Sequence, residues 1–287
     1  MNEGRSRETG PHGDDDAGAG ERGGEQDRRF ATTLARGLSV LRAFRPSDDG
    51  LGNAEIAERT GLPKSTVSRL TFTLQSLGYL THARRRDRYR PGPALLALGN
   101  VAGASISFVD LSNPIMQRLA DETGTLALLA VRDHDKMLLV KTWRPHGVSS
   151  IWLEVGHRLP YNGSSSGHAM LAALNDRAFA ETVEAADGHR GLTRQRAETI
   201  RQDAYGQLVG QGFVIVDASE YFASTIRAVA VPFHSRDLSE PVIFTCGAMP
   251  ADLSDARMRD EVGPKLRAAV QELERRMGQG SALAQRD

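Results

Sequence analysis

The stretch Ala54-Glu55-Ile56-Ala57-Glu58-Arg59-Thr60-Gly61-Leu62-Pro63-Lys64-Ser65-Thr66-Val67-Ser68-Arg69-Leu70 reads as a short helix, a tight turn and the start of a second helix. Asn53 is placed to cap the first helix, which runs through Ile56 to Thr60, and Gly61 suits the left-handed residue that ends it. Pro63 fits the first position of the next helix, where its missing N–H leaves no bond unmade. There Val67, Leu70, Leu74 and Leu77 share one face, while Lys64, Ser65, Ser68 and Arg69 take the other, with Thr66 between. A helix enters the major groove only if its exposed N-terminal face is short-chained or basic. This one meets that requirement.

Upstream, Phe30, Leu34, Leu38, Leu41 and Phe44 recur at helical spacing until Arg45-Pro46 closes the run. Downstream, Gly78 stops the second helix, and Tyr79–His82 and Arg88–Arg90 read as the two strands of a hairpin. Its tip is basic: Arg84, Arg85, Arg86, Arg88 and Arg90 repel one another unless an anion sits among them. The whole is a winged helix-turn-helix over residues 28–92, with Lys64, Ser65, Thr66, Ser68 and Arg69 as reader and Arg84, Arg85, Arg86 and Arg88 as phosphate clamp.

The charge distribution agrees. The chain is neutral overall, with 36 basic and 36 acidic side chains. Yet residues 28–92 hold 13 basic and 5 acidic groups, against 3 and 8 in residues 1–27 and 20 and 23 in residues 93–287. A compact unit at +8 inside a neutral chain has the footprint of a double-stranded DNA partner.

The remaining sequence sets the organisation. Residues 1–27 carry almost no large apolar side chain and read as a disordered tail. A linker helix is expected over 93–108, a second domain over 109–278 and a short tail over 279–287. In the second domain, strands fit Thr125–Val131, Met137–Thr142, Phe213–Val216, Ala228–Phe233 and Val242–Cys246. Helices fit Val109–Thr123, Ser165–Leu174, Asp176–Ala186, Ala197–Gln211 and Asp255–Met277, giving an α+β domain around an antiparallel sheet. The single cysteine, Cys246, makes no internal disulfide and no thiolate metal site alone. No apolar run approaches the roughly 20 residues of a membrane span, and the polar N-terminus lacks a signal-peptide core, so a cytoplasmic protein without a membrane partner is expected. No cofactor is called for.

The helix-turn-helix stretch, with Leu34-Ala35-Arg36-Gly37-Leu38-Ser39-Val40-Leu41, Gly78-Tyr79-Leu80 and Tyr89-Arg90-Pro91-Gly92, resembles the IclR family of bacterial regulators. Gly156-His157-Arg158-Leu159-Pro160, Gly167-His168-Ala169-Met170-Leu171-Ala172 and the segment 212–220 resemble that family's effector-binding domain, a GAF-like fold. The resemblance implies a transcription regulator, a homodimer or homotetramer on a pseudo-palindromic operator, that responds to a small organic or aromatic acid. Carried over position by position, it implies effector contacts at Ser164, Ser165 and Ser166, at Asp217 or Glu220, and at Ala228 and Cys246. The chain departs from the family in its three loop hydroxyls and in His168, where lysine is usual.

Other readings of the second domain stand beside this one. Gly163-Ser164-Ser165-Ser166-Gly167 satisfies G-x-S-x-G, with Ser165 at the nucleophile position of a serine hydrolase, although Arg158–Asn162 before it is polar and broken by proline. The same serines at a helix start also suit a carboxylate. Trp143, Trp152 and Tyr161 are either core or a stacking surface for an aromatic effector. Asp133-His134-Asp135 is a hairpin turn or a metal site, and Cys246 is buried packing or a redox sensor.

Overall fold

The computed structural model describes residues 30–83 and 87–278. The two tails and the wing tip at Arg84, Arg85 and Arg86 lie outside the described residues.

Helices α1 (Thr32–Arg42), α2 (Asn53–Thr60) and α3 (Lys64–Ser76) precede a two-stranded wing, β1 (Leu80–His82) paired antiparallel with β2 (Tyr89–Pro91). Val40, Leu51, Ile56, Val67 and Leu80 are almost wholly buried, with Leu41, Phe44, Leu70, Leu74 and Tyr89 packed around them. At roughly 1.5–3 kcal/mol for each large aliphatic side chain, this small core is enough to fix the α2–α3 angle. Gly61 ends α2 at φ +71°, and its N–H bonds Ala57 O. The cap of α2 differs from expectation. Gly52 holds that position and the Glu55 carboxylate accepts its N–H at 2.8 Å, while the Asn53 side chain accepts from Thr71 Oγ1 and ties α2 to α3.

The stripe expected to bury α1 divides in two. Leu41 and Phe44 pack on the core, but Phe30, Leu34 and Leu38 are exposed. Val40 and Gly37 are the residues of α1 that are buried, because α3 meets the face between the two rows.

Helix α4 (Pro93–Ser105) is the expected linker, and it buries no residue. It turns by 88° into α5 (Ser107–Thr123). Among the described residues no single helix is long and apolar enough to cross a membrane.

The second domain is built on a six-stranded antiparallel sheet in the order β5-β4-β3-β8-β7-β6. The strands are β3 (Leu126–Asp133), β4 (Lys136–Trp143), β5 (Arg158–Leu159), β6 (Val214–Ile215), β7 (Arg227–Phe233) and β8 (Val242–Ala248). Successive residues of a strand point to opposite faces, so the central strands feed two cores. One lies under α6 (Ser165–Ala173), α7 (Asp176–Ala185) and α8 (Arg194–Gly210); the other lies under α5 and α10 (Gly263–Arg276).

The last helix runs over Asp255–Arg276 as expected, with one irregular turn inside it. A short α9 (Asp255–Arg257) passes through a wide turn, Met258–Val262, where Gly263 N–H reaches back to Met258 O. Pro264 has no N–H to give the preceding turn, which accounts for the widening.

Candidate DNA-binding face and effector cavity

The N-terminal turn of α3 is open. Lys64, Ser65, Ser68 and Arg69 are exposed, Thr66 is half-buried, and Val67 anchors the helix from beneath. No acidic residue sits in that turn, so its N–H groups and Lys64 present an uncompensated positive surface. The wing corrects one assignment. Arg88 does not stand free as a phosphate clamp: its Nη2 bonds Gly50 O at 2.7 Å and Glu55 Oε1 at 2.9 Å. Glu55, already accepting from Gly52 N–H, is held below the usual carboxylate range by that bond and by Arg88. Arg90 is likewise paired, with Asp49. Arg88 thus braces the wing against α2, and Arg90 braces it against the loop that precedes α2.

The second site lies at the start of α6. Ser164 caps the helix by accepting from Gly167 N–H at 3.0 Å, and its own hydroxyl donates to Pro160 O. Two glycines permit this close packing. A Cβ on Gly167 would stand 2.4 Å from Tyr161 O, and one on Gly163, at φ +81°, would stand 2.6 Å from Glu220 O. The loop is clasped by a strap, residues 216–226, which crosses it between β6 and β7 and donates Phe222 N–H to Gly163 O at 2.8 Å.

Beneath the strap is a small cavity with Ser166 and Thr245 on its floor, 2.9 Å apart through their hydroxyls. Tyr221, Phe222 and Ile226 roof it, and Leu128, Leu153 and Ala228 wall it. The Ser165 hydroxyl donates to Ala228 O at 2.7 Å and stands within hydrogen-bonding reach of Tyr221, whose phenol burial pushes up to about 12. The free space is only about 10 Å³, at the lower edge of what one water needs. No charged side chain lines it.

His168 sits behind the loop. Burial, then the nearby Arg196 charge, lowers its pKa to about 3, so the ring is neutral. Its Nε2 accepts the Gly163 N–H at 3.2 Å.

Three of the expected effector positions do not line this cavity. Cys246 faces the α5–α10 core, fully buried, and it is Thr245 that points into the cavity; a one-residue offset along a strand exchanges the faces. Asp217 lies outside the cavity, bonded to Ser219 and facing a polar cleft beside α8. Glu220 sits on the outer side of the strap, paired with Arg196 at 2.8 Å. Ser164 is consumed by capping. Thr245, Tyr221 and the strap's Phe222 were not singled out by sequence; two-residue alternation along Val242–Ala248 puts Thr245 and Cys246 on opposite faces but does not say which face meets the cavity.

The geometry bears on each of the alternatives. Ser165 gives its proton to a backbone carbonyl and has no histidine among its partners, and β5 ends five residues before Ser164 rather than leading into it. Trp143 is buried, its Nε1 donating to Asn113, while Tyr161 is buried on the opposite side of the sheet and Trp152 is exposed, so the three form no common surface. His134, at φ +52°, is the turn residue between β3 and β4, and Asp133 is taken up by Arg42 and Arg158. Burial pushes the Cys246 thiol up to about 12, away from any reactive thiolate.

Comparison with known proteins agrees with this geometry. Residues 33–84 match the IclR helix-turn-helix domain, and residues 104–275 match the bacterial transcriptional regulator IclR C-terminal domain. The Pca regulon regulatory protein of Pseudomonas putida is 31% identical over 214 residues, 72% of this chain and 71% of its own. The crystal structure of an IclR family transcriptional regulator from Brucella abortus superposes with a TM-score of 0.67 at 32% identity, over 88% of this chain and 95% of that one. An IclR homolog from Microbacterium hydrocarbonoxydans, solved in complex with 4-hydroxybenzoate, shares the fold at 22% identity and a TM-score of 0.61, covering 84% and 99%. With its helix-turn-helix and its second domain both matched, the chain belongs to the IclR family of DNA-binding transcriptional regulators.

Proposed function

We propose that this regulator is controlled by a small organic or aromatic acid that enters the cavity between the start of α6 and the strap. The observation that carries the reading is the set of Ser166, Thr245 and Tyr221 hydroxyls gathered in an otherwise apolar space at a helix N-terminus. Hydroxyl donors and the partial positive end of α6 suit a carboxylate without a cationic partner, and the Leu128, Leu153 and Phe222 side chains suit a ring. The 4-hydroxybenzoate held by the Microbacterium relative is of this chemistry.

Because the free space is about 10 Å³, the strap must lift for such a ligand to enter. A ligand shifts an equilibrium only by its preference for one arrangement, and here the preference is for the lifted strap. The second domain would hold two reading modules at the spacing of pseudo-palindromic half-sites, as a cytoplasmic dimer or tetramer, with α4 carrying the change between domains. Exposed apolar side chains on α1 and α4 support the assembly. Fluorescence anisotropy on the promoter regions flanking the gene, with a panel of aromatic acids added, tests the reading: a specific acid changes operator affinity in the full chain and not in Thr245→Val. An operator response unaltered by that substitution counts against the cavity.

A further inference from the structure

The strap that roofs the effector cavity has both ends on a second cleft. Along β7 the side chains alternate, so Ala228 faces the cavity and Arg227 faces the α9–α10 side. Arg227 is 6% exposed; its Nη2 pairs with Asp255, while its Nε–H has no acceptor among the described residues. Buried donors are nearly always matched, and this unmatched one belongs to a guanidinium that lines an open space.

The space is an open polar cleft of about 760 Å³ between α8 and the turn after α9, a size ordinary for small-ligand sites. Asp203, Asp217 and Asp255 stand around it with Arg227 and Arg259. Asp217 is held below the usual carboxylate range by the Ser219 hydroxyl and N–H and by the two arginines, so it is charged at neutral pH. The α8 wall is made by Gly206 and Gly210, each with open space where a side chain would begin, which keeps the cleft clear. A simple anion placed here meets three carboxylates, and a simple cation meets two guanidinium groups. A molecule bearing both charges satisfies both sets.

We propose that this cleft binds a small zwitterion of the α-amino acid class, its carboxylate received by Arg227 and Arg259 and its ammonium by Asp217 and Asp203. Such a ligand joins Asp217 to Arg227, the two ends of the strap, and so holds the roof of the cavity down. That consequence rests on the effector reading of the cavity; the binding itself does not.

The test is isothermal titration calorimetry of the full chain with each standard amino acid, with propionate and propylamine as single-charge probes. At least one amino acid is expected to bind, with propionate and propylamine weaker by about tenfold or more, a difference of about 1.4 kcal/mol. Arg259→Ala and Asp217→Asn, both on the surface, should each weaken that amino acid by about tenfold or more, with circular dichroism unchanged. The proposal is overturned if no amino acid binds, if propionate binds as tightly, or if both variants bind as wild type. Loss of binding in Ser166→Ala with retention in the two cleft variants also overturns it, by moving the ligand into the cavity.

Discussion

The Ser166 hydroxyl, in the first turn of α6, and the Thr245 hydroxyl, in the middle of β8, lie 2.9 Å apart with both side chains buried. This link joins the loop to the sheet beneath it through two side chains, whereas Ser165 reaches Ala228 O and Ser164 reaches Pro160 O. Thr245→Val leaves the Ser166 hydroxyl without that partner, and an orphaned buried hydroxyl costs about 1–3 kcal/mol. Adding Ser166→Ala removes the orphan, so the double variant should be destabilised by less than the sum of the two single ones. Urea denaturation of the four proteins in the cycle measures this; strict additivity would show that the bond is not formed.

How much of this was legible beforehand depends on whether the signal was local. The helix-turn-helix was legible because Gly61, Pro63 and the Val67–Leu70–Leu74 stripe each dictate a conformation through neighbours in sequence. Five of the six sheet strands were legible from apolar runs, to within two residues at each end; β5, only Arg158–Leu159 and followed at once by proline, was not. Which face of β8 meets the cavity was not, because Val242–Ala248 is buried on both sides and carries no alternation of polarity. The strap was missed for a similar reason: residues 216–226 gain their role from Gly163 O and α6, both distant in the chain. The pairing of Arg88 with Glu55 across the wing is equally non-local, so a row of arginines suggested a free clamp where two of its members are braces.

That distinction predicts different salt responses. Lys64 and Arg69 are exposed on α3, and each phosphate contact contributes roughly 0.9 to the slope of log affinity against log salt. Lys64→Ala should lower the slope by about 1, whereas Ser65→Ala and Thr66→Ala should change base preference with the slope kept. Arg88→Ala should leave the slope nearly unaltered while loosening the wing. A full unit lost from the slope in Arg88→Ala would return that residue to the phosphate contacts.

His168 makes a pH prediction. Its folded pKa, about 3, lies below the ordinary 6.5, so the folded state favours the neutral ring and the unfolded chain binds the extra proton. Stability is therefore fully present above about 6.5 and is lost as pH falls toward 3. His168→Gln keeps an acceptor for Gly163 N–H and removes the titration, so its stability should fall less steeply across that window. Parallel pH dependences of the two proteins in chemical denaturation would contradict a neutral His168.

Cys246 supplies a control on the redox alternative. With its thiol fully buried and pushed up to about 12, the folded protein should resist a thiol-reactive disulfide reagent at pH 8 and react in full only in denaturant. The reaction rate should track global unfolding. Rapid labelling of the native chain would mean that β8 is not shielded as described.

Helix α4 makes the last prediction. It is 13 residues long, rich in Leu, Ala and Gly, and buries none of them; Leu96, Leu98 and Val101 are 69%, 51% and 65% exposed. A helix of about 12–15 residues is marginal in water by itself, and among the described residues the element that α4 chiefly meets is α5. The uncovered row on α1, Phe30, Leu34 and Leu38, is a second apolar face of the DNA-binding unit and its linker left open. In the proposed assembly a second copy of the chain would cover both, by a two-fold contact in which like faces meet. Leu98→Lys with Val101→Glu should dissociate the assembly in sedimentation velocity. Operator affinity should fall by about 10²-fold or more, because each reading helix then binds its half-site without the effective concentration supplied by the other. The second domain should keep its melting transition, since neither residue lies in its two cores. A wild-type chain that sediments as a monomer at micromolar concentration would leave α4 unexplained and remove the basis for a paired operator.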